Sequence, residues 1–202
     1  MRTDVLSMIV VAGLLVLATG GDPARADRAD ATPAWGLADL MAAMGKVRAS
    51  SARFVERKYL SVTTAPLRSS GVLRYAAPGR VEKETLLPQP RRMIIVGDTL
   101  TMERPGAPSR VVSIRDIPEI AGLIEGVRAT LAGDIATLNQ FYAVSFTGDV
   151  MAWQLELTPR DSRLSAIVAH IRMRGQSNAL AWVETQETDG DRTELVIDAD
   201  PP

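Results

Sequence analysis

The sequence lacks cysteine altogether and contains a single histidine, His170. Without cysteine, disulfide frameworks, thiolate nucleophiles and thiolate zinc sites are excluded. One histidine cannot build a multi-histidine metal centre, so we expect neither a metal site nor another cofactor. The net charge is also small, −1 from 23 basic and 24 acidic residues, which leaves no basic footprint for nucleic acid. The 202 residues, 46% of them apolar, suit one globular domain with a real core.

Long hydrophobic runs are scarce, and the longest stands at the N-terminus. Residues 5–18 are small or apolar and follow Arg2, but a transmembrane helix needs about 20 apolar residues. Ala24-Arg25-Ala26 then supplies an A-x-A cleavage site. We therefore predict a signal peptide over residues 1–26, export to the periplasm, and a single mature domain over residues 27–202. The alternative is an uncleaved membrane anchor.

Hydrophobic periodicity predicts two groups of strands separated by helices. An apolar stripe from Leu37 to Val47 indicates a first helix ending near Ala49. Alternating residues then predict strands over 54–62, 67–76, 80–87, 92–96, 100–103 and 110–114. A second stripe from Ile117 to Leu131 predicts another helix, followed by a short helical segment over 135–139. Further strands are predicted over 141–146, 151–158, 164–174, 179–188 and 192–197.

Short connections between these strands make neighbouring strands antiparallel. In the strand over 151–158, Met151, Trp153 and Leu155 share one face. An antiparallel sheet of roughly ten strands with one apolar face must curl or be covered. We therefore predict a mainly β fold with α: a curved antiparallel sheet with helices over its concave side. Periodicity leaves open whether side chains fill the gap or a ligand occupies it.

Catalytic motifs are missing, and no catalytic residue is predicted. His170 lies on a strand face with Val168 and Arg172, which is an ordinary place for a lone histidine. The sequence has no G-x-S-x-G elbow, glycine-rich phosphate loop or H-E-x-x-H motif. Asp189-Gly190-Asp191 lacks the remaining ligands of a calcium loop and reads better as a hairpin turn. We expect no enzyme; a hydrolase, the alternative, would depend on His170.

Four segments carry a recognisable pattern: GVLRYAAP at residues 71–78, RVEKET at 80–85, MIIVGDTL at 93–100, and QLELTP at 154–159 followed by Leu164. Together they resemble the outer-membrane lipoprotein carrier family, LolA. The helix before Phe54 matches the opening of the family, and the resemblance extends from about Leu37 to Ile197. It implies a half-open antiparallel barrel with a helical lid over an apolar cavity.

The resemblance implies a monomeric carrier whose cargo is an acylated lipid or lipoprotein. Such carriers take cargo from an inner-membrane exporter to an outer-membrane acceptor. Within that fold we predict a lipid-binding surface made of Phe54, Leu73, Tyr75, Val81, Lys83, Met93, Ile95, Met102, Ile120, Ile124, Val127, Met151, Trp153 and Leu155. An alternative is a module of the same fold that senses lipids or lipoproteins and regulates a membrane partner.

Three positions depart from the family pattern. Members that carry lipoproteins usually have an arginine immediately before the strand-end proline, where this chain has Ala77 before Pro78. Val81 and Lys83 replace expected aromatic residues, and the register directs Lys83 to the concave side, where it would snorkel or meet an anionic group. The alternative is a register slip that leaves Lys83 in solvent. These departures favour a divergent carrier for another acylated lipid or a polyene.

Overall fold

A computed structural model describes residues 35–198, and the predicted signal peptide lies outside them. Within this described part of the chain, eleven strands form one sheet. They are β1 (Ala49–Tyr59), β2 (Leu67–Ala76), β3 (Arg80–Leu87), β4 (Arg91–Val96), β5 (Thr99–Glu103), β6 (Arg110–Ser113), β7 (Tyr142–Gly148), β8 (Trp153–Pro159), β9 (Val168–Gln176), β10 (Ala179–Glu187) and β11 (Arg192–Asp198). The order is β6-β5-β4-β3-β2-β1-β11-β10-β9-β8-β7, and each neighbouring pair is antiparallel.

Within residues 35–198, four α-helices accompany the sheet. They are α1 (Leu37–Met44), α2 (Pro118–Ala132), α3 (Ile135–Phe141) and α4 (Ser162–Ser165), and a 3₁₀ turn at Ile114–Asp116 precedes α2. The first three helices pack on the face of the sheet that we call the concave face, where one core combines strand and helix side chains. No helix within residues 35–198 is long and apolar enough to cross a membrane.

The sheet consists of two meanders that meet at β1 and β11. Phe54 lies opposite Ile197 in this central pair. Alternation in β1 places Phe54, Glu56 and Lys58 on the concave face, while Arg53 and Val55 face outward. The helices α2 and α3 connect the first meander to the second. The predicted fold, a curved antiparallel sheet covered by helices, is confirmed.

The pairing of β2 with β3 contains a bulge, in which Leu86 of β3 is the extra residue. The register between β2 and β3 shifts between Ser70 and Gly71. At Gly71 a Cβ atom would stand 1.9 Å from the carbonyl oxygen of Glu84, so a side chain is excluded there. The glycine of the GVLRYAAP segment is therefore required by the close approach of β3.

Several predicted boundaries are wrong. The first helix ends at Met44, and β1 already begins at Ala49. Residues 162–165 form α4 where a strand was expected, because the Asp161 carboxylate accepts hydrogen bonds from the amides of Arg163 and Leu164 and caps a helix. The strand predicted from Met151 begins at Trp153 instead. The Asp149 carboxylate accepts hydrogen bonds from the amide N–H groups of Met151 and Ala152, and these bonds stabilise a turn before β8.

Candidate functional site

Two rows of side chains, apolar except for Lys83, cross the concave face of the first meander. One row runs from Tyr75 through Val81 and Ile95 to Leu100, in cross-strand register over β2 to β5. The next row runs from Leu73 through Lys83 and Met93 to Met102. Because residues directly opposite on adjacent strands have Cβ atoms about 5 Å apart, each row is continuous.

The second meander continues this surface. Leu155 lies opposite Met173, Met173 opposite Val183, and Val183 opposite Leu195. At the junction with β1, Ile197 lies opposite Phe54 and Leu195 lies opposite Glu56. Trp153 is also buried, and its indole N–H donates to the carbonyl of Ser177 at 2.8 Å. The apolar surface therefore spans both halves of the sheet.

The helix α2 covers the surface. Ile124 and Val127 are buried in the common core. Tyr142, at the start of β7, donates its hydroxyl to the carbonyl of Gly122 at 3.0 Å, and its ring lies against Gly126. Burial raises the pKa of Tyr142, so this hydroxyl stays protonated and remains a donor. The tyrosine thus attaches the helix to the sheet.

Most of the predicted lipid-binding residues come together in this core. Eleven of the fourteen are buried: Phe54, Leu73, Tyr75, Val81, Lys83, Met93, Ile95, Ile124, Val127, Trp153 and Leu155. Met102 is half-buried and packs at the edge of the core. Met151 lies apart in the turn before β8 with 65% of its surface exposed. The side chain of Ile120 lies outside the described part of the structure. In this conformation the apolar face is packed against the helices, which answers the question that periodicity left open.

Lys83 lies on the concave face, as the register predicted. Its ammonium group forms an ion pair with Glu56 and stands 5.0 Å from the centre of the Phe54 ring. Burial lowers the pKa of Lys83, and the neighbouring Glu56 carboxylate opposes that shift. The predicted anionic partner is therefore present within the chain.

A second buried ion pair lies farther along the same face. Lys58 contacts Glu187 at 3.4 Å. Burial raises the pKa of Glu187, and the charge of Lys58 acts in the opposite direction. Thr193 lies opposite both Lys58 and Thr185, and both threonine hydroxyls are buried without a hydrogen-bond partner among the described residues. We call these ion pairs and threonines the polar belt.

Sequence reasoning missed the polar belt apart from Lys83. The available signal was the alternation of β1, because Glu56 and Lys58 have the same parity as Phe54. No concave position was predicted for Glu56 or Lys58, since charge is normally excluded from an apolar sheet face.

An open cleft of about 720 Å³ adjoins the polar belt at one end of the concave face. Glu56, Lys58, Thr85, Arg91 and Arg104 line it together with segments 66–69 and 88–90. We call it the basic cleft. None of these lining residues belongs to a helix.

Comparison with known proteins identifies the family. A sequence model described as outer membrane lipoprotein carrier protein LolA-like matches residues 29–199. The chain belongs to this family. Comparison with curated proteins gave no match.

Similar solved structures have low sequence identity to the chain. A LolA superfamily protein from Nitrosomonas europaea is 10% identical, with 84% of this chain and 96% of that chain covered and a TM-score of 0.41. A putative outer membrane lipoprotein-sorting protein domain from Vibrio parahaemolyticus is 11% identical, with 80% and 88% covered and a TM-score of 0.43. The Pseudomonas aeruginosa MucA/MucB complex contains a chain that is 12% identical, with 82% and 57% covered and a TM-score of 0.39.

In this LolA-like chain, an arginine of the covering helix α2 lies near the turn that follows Ala77. Arg128 of α2 places its guanidinium group against Gly79, in the turn that follows Ala77-Pro78. It also donates to the carbonyl of Gly97 in the β4–β5 turn at 3.4 Å and pairs with Glu125 at 2.8 Å. Arg128 therefore links the covering helix to two turns of the sheet.

The convex face carries ladders of opposite charges, which are typical of a solvated sheet face. One ladder runs from Glu156 through Arg172 to Glu184 and Arg192 on neighbouring strands. His170 joins it, with its imidazole 3.8 Å from Glu184. The histidine thus lies on the opposite side of the sheet from the apolar core.

Three carboxylates meet in the β10–β11 hairpin. Oxygens of Glu187, Asp189 and Asp191 lie within 4.8 Å of one another. The Asp189 carboxylate accepts a hydrogen bond from the amide N–H of Asp191, and the Asp191 carboxylate accepts one from the amide N–H of Ser61. Glu187 forms an ion pair with Lys58. Gly190 has φ +94°, as the predicted hairpin turn requires. These groups already have partners that stabilise the turn.

Proposed function

We propose that this LolA-like protein is a carrier that shields the acyl chains of a lipid or lipoprotein between the concave face and the covering helices. The observation that carries the proposal is the continuous apolar surface across both meanders, covered by α1, α2 and α3. The sheet supplies a rigid wall, and short helices supply a cover that can separate from it.

The hydrophobic effect explains why such a cover is useful. Each CH₂ group exposed to water costs about 0.8 kcal/mol, so a ~16-carbon chain costs on the order of 12 kcal/mol to expose. In the closed conformation the same apolar wall is covered by helix side chains such as Ile124 and Val127. Bound acyl chains would replace these contacts, so the empty and loaded states both avoid exposing the wall.

The proposed setting is the periplasm, reached through a cleavable signal peptide over residues 1–26. There the protein would act as a monomer, receive cargo from an inner-membrane exporter and pass it to an outer-membrane acceptor. We propose no catalytic step: His170 lies in the convex charge ladder, remote from the apolar wall. Ala77 and the buried Lys83 favour a cargo other than a standard lipoprotein, such as another acylated lipid or a polyene.

Mass spectrometry of co-purified material tests the proposal. Residues 27–202 are secreted into a periplasm, purified without detergent, and measured first by native mass spectrometry and then after solvent extraction. We expect a fatty acid, phospholipid or polyene at a fixed ratio to protein, and uptake of a fluorescent acyl probe by the delipidated protein.

A variant at the exposed turn is the matched control, since Met151→Ser leaves the wall intact and should take up the probe equally well. A lipid-free mass together with no probe uptake by the folded protein would contradict the carrier function. That result would favour the alternative, a module that recognises a protein partner.

A further inference from the structure

Three connections of the first meander lie together at one end of the sheet. Because neighbouring strands are antiparallel, every second connection falls at the same end, here those between β1 and β2, β3 and β4, and β5 and β6. The basic cleft opens among them, and its lining includes residues of all three but no helix residue. The turns that Arg128 of α2 contacts lie at the opposite end. We call residues 60–68, 86–90 and 104–109 the loop end.

The loop end exposes large apolar side chains. Val62 is 86% exposed and Leu87 is 64% exposed, and Leu67 and Leu86 are exposed as well. Among residues 35–198, the exposed leucines are all found in the loop end. Single apolar side chains on a surface are ordinary, but a cluster of them marks contact with a partner or a membrane.

The loop end also carries positive charge without any acidic residue. It contains Arg68 and Arg104 and neither aspartate nor glutamate. Both arginine side chains are exposed, and neither forms an ion pair with another residue of the described part. The adjoining β10–β11 hairpin is acidic, with Glu187, Asp189 and Asp191, so the positive surface is confined to the first meander. Such a surface attracts anionic groups.

A lipid bilayer matches both properties of the loop end. The exposed apolar side chains come from two connections beside an open cleft, and a deformable lipid surface fits such an outline more easily than a rigid protein face. Apolar side chains are stabilised at the boundary between headgroups and acyl chains, and neighbouring arginines are stabilised by anionic phosphates.

We infer that the loop end docks on a bilayer that contains anionic phospholipid. Val62 and the exposed leucines enter the boundary between headgroups and acyl chains, while Arg68 and Arg104 meet the lipid phosphates. A docked protein presents the basic cleft to the membrane, since the cleft opens among the same connections. The inference goes beyond the carrier function and does not depend on it.

Co-sedimentation with vesicles tests the inference. The delipidated protein, residues 27–202, is mixed with vesicles of phosphatidylcholine alone and with vesicles in which roughly one quarter of the lipid is phosphatidylglycerol. We expect about fivefold or tighter binding to the anionic vesicles, because two unpaired arginines meet the charged surface. Protein that only extracts a lipid into its core stays in the supernatant, so cargo uptake does not count as docking.

Two double variants separate the apolar and the charged contacts. Val62→Ser/Leu87→Ser should weaken binding to the anionic vesicles about tenfold, because it removes two largely exposed apolar side chains from the loop end. Arg68→Gln/Arg104→Gln should weaken this binding about fivefold and remove most of the preference for phosphatidylglycerol.

Matched control variants lie away from the loop end. Val96→Ser/Met151→Ser removes two exposed apolar side chains from turns at the other end of the sheet. Lys46→Gln/Arg53→Gln removes two exposed positive charges, one before β1 and one on the convex face of β1. Both should bind vesicles as the unaltered protein does, and circular dichroism verifies that all four double variants are folded.

The possible outcomes distinguish docking from cargo binding. If the folded, unaltered protein failed to bind the anionic vesicles, the inference would be overturned in favour of a protein partner at the loop end, and the carrier function would stand. Equal binding to both kinds of vesicle, or loop-end variants that bind as tightly as the unaltered protein, would also overturn it. Vesicle binding by a protein that takes up no acyl probe would support docking and contradict the carrier function.

Discussion

On the convex face, Glu82 is surrounded by three guanidinium groups. Its carboxylate contacts Arg74 at 2.8 Å, Arg92 at 2.9 Å and Arg80 at 3.1 Å, and only 4% of the side chain is exposed. Burial alone would raise the pKa of Glu82, but the arginines outweigh burial and hold the pKa below its ordinary value. The charged carboxylate therefore connects β2, β3 and β4.

Replacing Glu82 should destabilise the protein in a pH-dependent way. Glu82→Gln should lower the free energy of unfolding by about 1–3 kcal/mol at pH 7, because it leaves the arginines without their shared acceptor. Since the folded-state pKa lies below the unfolded value of about 4.3, this contribution is present above that value and is lost as the pH falls through the folded pKa. Urea unfolding at pH 7, 5, 4 and 3 measures the difference.

The neighbouring Glu84 supplies the control for this measurement. It also contacts Arg74, at 2.7 Å, but is far more exposed. Glu84→Gln should therefore cost less than about 1 kcal/mol. A stability difference between the unaltered protein and Glu82→Gln that stays constant down to pH 3 would contradict the assigned role.

The sequence predicted the sheet face to which a side chain points better than it predicted the residue that the side chain contacts. The period of two placed Lys83 on the concave face, and the structure agrees. Its partner Glu56 was not predicted, because it lies on β1 and reaches Lys83 across β2, where Gly71 has no side chain. Periodicity describes one strand at a time, and such a contact depends on the register of three strands.

Among the secondary-structure elements, strands between clear turn signals were predicted best. The third and fourth predicted strands coincide with β3 and β4 to within one residue. The short helix α4 was missed because only the Asp161 cap distinguishes it locally from the start of a strand. The pairing of β1 with β11 was also out of reach, since alternation carries no information on which distant strands meet.

The helix α2 should separate from the sheet more readily when Arg128 is replaced. Arg128→Gln removes its contacts with the turns at Gly79 and Gly97. One hydrogen bond contributes about 0.5–1.5 kcal/mol, so opening and uptake of an acyl probe should become roughly 2- to 10-fold faster. Stopped-flow fluorescence of the delipidated protein measures the uptake rate.

Arg115 allows a matched control on the same β4–β5 turn. It pairs with Asp98 next to Gly97, but 80% of its side chain is exposed. Arg115→Gln should leave the uptake rate unchanged. Equal rates in the unaltered protein and Arg128→Gln would show that Arg128 does not hold the helix closed.

At the scale of the whole molecule, the sheet and its cover are held by different kinds of interaction. The eleven strands share a continuous ladder of backbone hydrogen bonds, whereas Tyr142 and Arg128 supply two of the hydrogen bonds that join α2 to the sheet. The curved sheet and its helices followed from the sequence. The closed state could not be predicted, because the hydrophobic pattern of an apolar face is the same whether helix side chains or a ligand cover that face.

This difference predicts that α2 opens without unfolding of the sheet. Hydrogen–deuterium exchange should give amides of α2 an opening free energy at least ~2 kcal/mol below that of amides in β1 and β11. Binding of 1-lauroylglycerol should then change exchange in the helices and leave exchange in β1 and β11 unaltered, because only the cover rearranges. Arg128→Gln should lower the opening free energy of α2 alone. If α2 and β1 exchanged with the same free energy in every case, cover and sheet would unfold as one cooperative unit, and cargo could enter only through global unfolding.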